Sequence, residues 1–161
     1  MADLHLVMRQ FVRATPARLF EAWTTPTQFC RWWTPPDVVR VEAAFDLKVG
    51  GAYRIVNHFA DGRRITIAGL YQVIEPPHRL VFTWQTDITP QALERVTVRF
   101  EGTTDGTDIT VIHKRIATAD QRDSHARGWR GCLAGLTDSF SQAPSSSVAL
   151  PSASPRPTLR T

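Results

Sequence analysis

Apolar residues along this chain alternate between two rhythms. Behind Thr15-Pro16, Leu19, Phe20 and Trp23 fall on one helical face, and the pair itself reads as an N-cap followed by proline at the first helical position. That helix should stop before Pro26. A second, over about residues 27–33, should end at Pro35 and Pro36, because proline disfavours helix in the residue before it. Beyond the prolines the period drops to two. VVRVEAAF, AYRIVNHFA, RITIAGLYQVI, RLVFTWQT, RVTVRFE and DITVIHKRI are short runs rich in β-branched and aromatic residues. Asp61-Gly62 and the stretch from Gly102 to Gly106 read as hairpin turns between them. Helical spacing then returns over about residues 120–140, where Trp129, Cys132, Leu133, Leu136 and Phe140 form one stripe.

With a first strand over about residues 3–14, the order is strand, two short helices, six strands and a long helix. Consecutive strands without crossover helices pair antiparallel, so the fold class is α+β: a curved antiparallel sheet of about seven strands against the terminal helix. Gly128, Gly131 and Gly135 weaken that helix by about 1 kcal/mol each relative to alanine. They either admit a close approach to the sheet or shape a space beside it.

Composition bounds the rest. A chain of 161 residues with 42% hydrophobic residues fits one core. From Gln142 the sequence turns to Pro, Ser and Ala without an aromatic residue, which predicts a folded unit over 1–141 and a disordered tail over 142–161. The net charge is +4, but without Arg156 and Arg160 the body carries 17 basic against 15 acidic side chains. No basic stripe stands out, so no nucleic-acid partner is expected. No run of about 20 apolar residues is present for membrane insertion, and the N-terminus lacks a signal-like h-region, so a cytoplasmic location is expected. Cys30 and Cys132 stand alone and read as reduced, partly buried thiols.

Candidate chemistry gathers on inward-facing positions. Adjacent helical residues point about 100° apart, so Trp32 and Trp33 cannot both enter one narrow stripe. Either one fills the core while the other caps it, or an indole lies over a ligand. Leu80, Phe82 and Trp84 share a strand face, as do Val96, Val98 and Phe100; alternation makes them core or cavity wall without choosing. Trp84 and Trp129 are the best cavity aromatics. His113 continues the face of Ile109 and Val111, either as a satisfied core histidine or as a general base. Asn57 and His58 face opposite ways, so only one looks inward. Asp46, Gly50 and Gly51 read as a structural turn. His5, His58, His78, His113 and His125 lack any paired metal-ligand spacing, so no metal and no cofactor are expected. Phosphate-loop, dinucleotide and nucleophile-elbow patterns are also absent.

Five stretches, EAWTTPTQFCRWWTPP, FDLKVGGAYRI, GLYQVIEPPHRLVFTW, VTVRFEGTTDGTDITVIHKR and HARGWRGCLAGL, are together similar to the heat-shock-protein-90 ATPase activator homologues (AHSA-type) of the START and Bet v-like superfamily, SRPBCC. The resemblance spans about residues 5–141; Lys48 stands where that family often has arginine. It implies a helix-grip fold with a hydrophobic cavity between sheet and long helix. It also implies a small apolar or amphipathic ligand, with Trp32, Trp33, Trp84, His113 and Trp129 as the expected lining. No reaction is assigned. The alternatives are a cyclase- or hydrolase-type enzyme using the same cavity, or a module acting on a chaperone ATPase, while a homodimer through sheet edges or the helix pair stays open.

Overall fold

Thr15 acts as its place before Pro16 predicts: its Oγ1 accepts the Arg18 N–H at 3.2 Å and opens α1, Pro16–Thr24. Leu19, Phe20, Ala22 and Trp23 bury the inner face of that helix. Helix α2, Pro26–Trp32, starts on Pro26 itself, one residue earlier than the sequence suggests, since proline suits the first helical position. These observations come from a computed structural model that describes residues 3–141. The expected tail at 142–161 lies outside the described residues.

Strand β1, Leu4–Val12, precedes the two helices, and β2 (Val38–Phe45), β3 (Ala52–Phe59), β4 (Arg64–Glu75), β5 (Arg79–Thr86), β6 (Thr89–Gly102) and β7 (Thr107–Ile116) follow. Together they form one sheet ordered β1-β7-β6-β5-β4-β3-β2, antiparallel throughout, and curled around the long helix α3, Ala119–Ser141. Register slips between Tyr71 and Val73 on β4 and between Trp84 and Thr86 on β5 bend the middle of the sheet. The fold is the expected α+β helix grip. Strand β6 differs in length: it begins at Thr89, six residues before the alternating run, because Thr86 and Thr89 pair across a tight turn.

The core lies between the concave face of the sheet, α1, α2 and α3. All five tryptophans are buried in it. Trp129, Cys132, Leu133 and Leu136 are the buried stripe of α3. Two of that helix's glycines serve the segment after α2 rather than the sheet. A Cβ on Gly131 would come within 2.8 Å of the Thr34 carbonyl oxygen, and one on Gly135 would collide with the Thr34 hydroxyl and the Trp32 carbonyl. Their backbone therefore admits Thr34, whose Oγ1 donates to the Gly131 carbonyl at 3.1 Å. Gly128 meets nothing within 4 Å and leaves open space. No helix among the described residues is long and apolar enough to cross a membrane.

Candidate functional site

The space between sheet and α3 is largely filled by the chain's own rings. Trp23 packs on Trp32 with centroids 4.6 Å apart, Phe29 stacks on Trp33 at 4.8 Å, and Trp129 meets Trp33 edge-on at 5.4 Å and Trp84 at 5.6 Å. Among the described residues, two pockets lie in this region. One, of about 20 Å³, lies among Phe29, Tyr53, Tyr71 and Phe82 and has room for about one water. The other, of about 140 Å³, opens between β4, β5 and α3. Trp33, Trp84 and Trp129 border both. Ile65, Ile67 and Ile88 complete the apolar wall of the larger pocket, and Asn57 and His125 supply polar atoms.

Of the sequence-nominated residues, Trp33, Trp84 and Trp129 thus reach the pockets. Trp32 stands behind them, 1% exposed, with its Nε1–H donated to the Ala22 carbonyl at 2.9 Å. The twin indoles therefore part as helix geometry requires: Trp32 roots α2 in the core, and Trp33, also buried, fronts the pockets. Asn57, not His58, looks inward, and its Oδ1 accepts the Trp33 Nε1–H at 3.1 Å. An indole nitrogen only donates, so the amide oxygen must be the atom facing it. Cys132 also borders the larger pocket, with burial pushing its thiol up and keeping it protonated, while Cys30 is half-buried.

His113 is fully buried and sits behind Trp84 in a polar cluster that no sequence spacing reveals. Trp129 Nε1–H donates to its Nδ1 at 3.0 Å, and its Nε2 lies 2.7 Å from Glu94 Oε1. Since the indole can only donate, Nδ1 is the unprotonated nitrogen and Nε2–H is the donor to the carboxylate. The basic nitrogen that a general base would need is therefore occupied. Burial pushes the His113 pKa down, against the pull of Glu94, and keeps the ring neutral. Glu94 is buried as well: burial pushes its carboxyl up, but the contacts with His113 and then His125 outweigh this and hold it at about 2. His125, from the start of α3, stacks on His113 with centroids 4.4 Å apart and planes 15° apart. Its Nε2 lies 2.9 Å from the same carboxylate oxygen but off the line of a hydrogen bond.

Glu94, His113 and His125 bring three donor atoms within 4.8 Å of one another, a set of the kind that can hold a metal ion and one that sequence spacing did not anticipate. The arrangement fits coordination poorly. Nearly parallel stacked rings do not aim both in-plane lone pairs at one point. A metal on His113 Nε2 would also require a proton on Nδ1, where it would face the Trp129 N–H. The cluster is better described as a relay of hydrogen bonds that orients Trp129 and the inner face of α3.

Sequence reasoning missed Glu94 and His125, although each lies on a stripe it had found. Glu94 extends the inward face of Val96, Val98 and Phe100 by one step of two. His125 extends the stripe of Trp129 by one helical turn.

A family model described as Activator of Hsp90 ATPase homolog 1-like protein matches residues 13–141. Among solved structures, a Chromobacterium violaceum protein is similar with a TM-score of 0.74 and 22% identity, over 85% of this chain and 97% of that one. A Rhodobacter sphaeroides protein gives 0.74 and 25% identity over 85% and 91%. The AHSA1 protein of Silicibacter pomeroyi gives 0.72 and 22% over 87% and 98%. None of the curated proteins matches the chain.

Proposed function

Because the chain belongs to the Activator of Hsp90 ATPase homolog 1-like family, we propose that it binds a small apolar or amphipathic molecule between sheet and long helix, at the walls formed by Trp33, Trp84 and Trp129. The observation that carries this reading is the pocket of about 140 Å³, bounded by three indoles and three isoleucines. An apolar cavity of roughly 150 Å³ accepts a benzene-sized guest, whereas sites for drug-sized ligands span about 300–1,000 Å³. The part of a ligand that this space takes is thus ring-sized, and a long-chain lipid or a polyketide would not fit within it. Trp32 and His113 hold the site from behind: one anchors α2, and the other ties Trp129 to the sheet through Glu94.

The experiment is a two-arm titration of the full chain, with single-ring aromatics in one arm and a long-chain fatty acid in the other, followed by tryptophan fluorescence and thermal shift. Quenching and a raised Tm with the single rings alone support the reading. Flat responses in both arms reject it, and a response to the fatty acid alone rejects the size limit.

A further inference from the structure

The polar atoms around the larger pocket are unequal in kind, and the inequality specifies the guest. On the sheet side the acceptors are committed within the protein: Asn57 Oδ1 takes the Trp33 N–H, and behind the pocket wall His113 Nδ1 takes the Trp129 N–H and Glu94 Oε1 the His113 N–H. The Thr86 hydroxyl is paired with that of Thr89 at 2.9 Å. Beside Trp84 and Asn57 what remains is donors, while Ser124 and His125 line the α3 side of the pocket. Asn57 has its oxygen turned to Trp33, which leaves its Nδ2 hydrogens without an acceptor among the described residues. Trp84 borders the pocket, is 6% exposed, and carries a buried Nε1–H with no partner among the described residues. A buried donor left unmade costs about 1–3 kcal/mol, so an indole N–H that no group among the described residues accepts, at the wall of an apolar pocket, favours a guest that brings an acceptor.

Resting on the binding reading above, we propose that the pocket selects ring-sized guests bearing a neutral hydrogen-bond acceptor, an aromatic ketone, aldehyde or ester rather than a plain hydrocarbon or an acid. The carbonyl oxygen takes the Asn57 amide hydrogens and, with a small turn of the indole, the Trp84 N–H, while the ring fills the space between the indoles. An anionic guest is disfavoured because the Glu94 carboxylate is already buried just behind His125, and a second unpaired anion close to it raises the cost of desolvation.

The test compares acetophenone with ethylbenzene, nearly equal in shape, and with benzoate, titrated into the full chain while the five indole N–H resonances are followed by NMR. Acetophenone should bind about tenfold tighter than ethylbenzene, the fold-change worth one hydrogen bond. It should move the Trp84 N–H signal downfield where ethylbenzene does not, and benzoate should bind more weakly than acetophenone. In Trp84→Phe the preference for the ketone should shrink. Asn57→Asp, which keeps the acceptor for Trp33 but removes the amide donors, should also reduce it, and serves if the first variant fails to fold. Equal affinities for acetophenone and ethylbenzene overturn the proposal while leaving the ring-binding reading intact. So does a preference unchanged in a folded variant. No movement of any indole signal with either neutral ligand overturns both.

Discussion

Two indoles set the polarity of the site by spending the single hydrogen each can give. Trp33 turns the Asn57 amide, and Trp129 fixes His113 as the tautomer that donates to Glu94. The Glu94 carboxylate, held at about 2, then carries a pH signature. Between pH about 4.5 and about 2 the unfolded chain binds a proton at this position that the folded chain does not, so folding stability falls as the pH drops through that window. His113 acts in the same direction one step earlier. Its pKa is pushed below 6.5 in the fold, so stability is already lost as the pH falls below about 6.5. Glu94→Gln retains an acceptor for the His113 N–H and removes the charge. We expect the variant to be less stable than wild type by roughly 1–3 kcal/mol at pH 7 and to approach it near pH 2. Denaturant unfolding at pH 7, 5 and 3 measures the difference, from which exposed carboxylates such as Asp61 and Glu75 cancel; parallel curves would reject the assignment. Alternation revealed that His113 faces inward, but not its partners. They sit 19 residues before it on the next strand and 16 residues after it on a helix, and such meetings are made by strand pairing and helix packing.

Elements were legible where a periodicity and a stop signal coincide. Helix α1 is bracketed by Thr15-Pro16 and Pro26, and the turn at Asp61-Gly62 places Gly62 at φ +92° as that turn requires. The start of β6 was not, because Asp87 in the turn and Pro90 and Gln91 after it carry turn and breaker chemistry, and the strand's first residue joins the sheet by the pairing of Thr89 with Thr86. The glycines of α3 were legible as weak points but not in purpose, since what they approach is the Thr34 segment and not a strand. Their contrast gives a prediction of opposite signs on one helix. Gly128→Ala adds a methyl into open space and should stabilise the fold by up to about 1 kcal/mol through helix propensity. Gly135→Ala gains the same propensity but drives its Cβ into the Thr34 hydroxyl and the Trp32 carbonyl, so it should destabilise by about 1–3 kcal/mol. Urea midpoints of the two variants decide this, and equal shifts of one sign would mean that propensity alone governs the helix.

At the scale of the whole molecule, a sheet gripping a helix can either enclose a vessel or be packed shut, and sequence alone leaves that choice open because wall and core share one alternation. Here the aromatic content decides it: rings from α1, α2, β5 and α3 meet in the middle and leave only small pockets among the described residues there. Trp33, like Trp84 and Trp129, borders both of these pockets, so its indole trades capacity for stability. Trp33→Ala should join them into one larger space while leaving Asn57 without its donor. Truncation of a buried tryptophan costs about 3–5 kcal/mol. The same variant, provided that it stays folded, should admit naphthalene, which wild type refuses, and bind benzene more loosely because the walls no longer close on a single ring. Titration of both hydrocarbons against both proteins, with unfolding measured in parallel, tests the trade. A variant that loses stability without gaining the larger guest would show that the neighbouring rings collapse into the gap, and that the interior is held by packing alone.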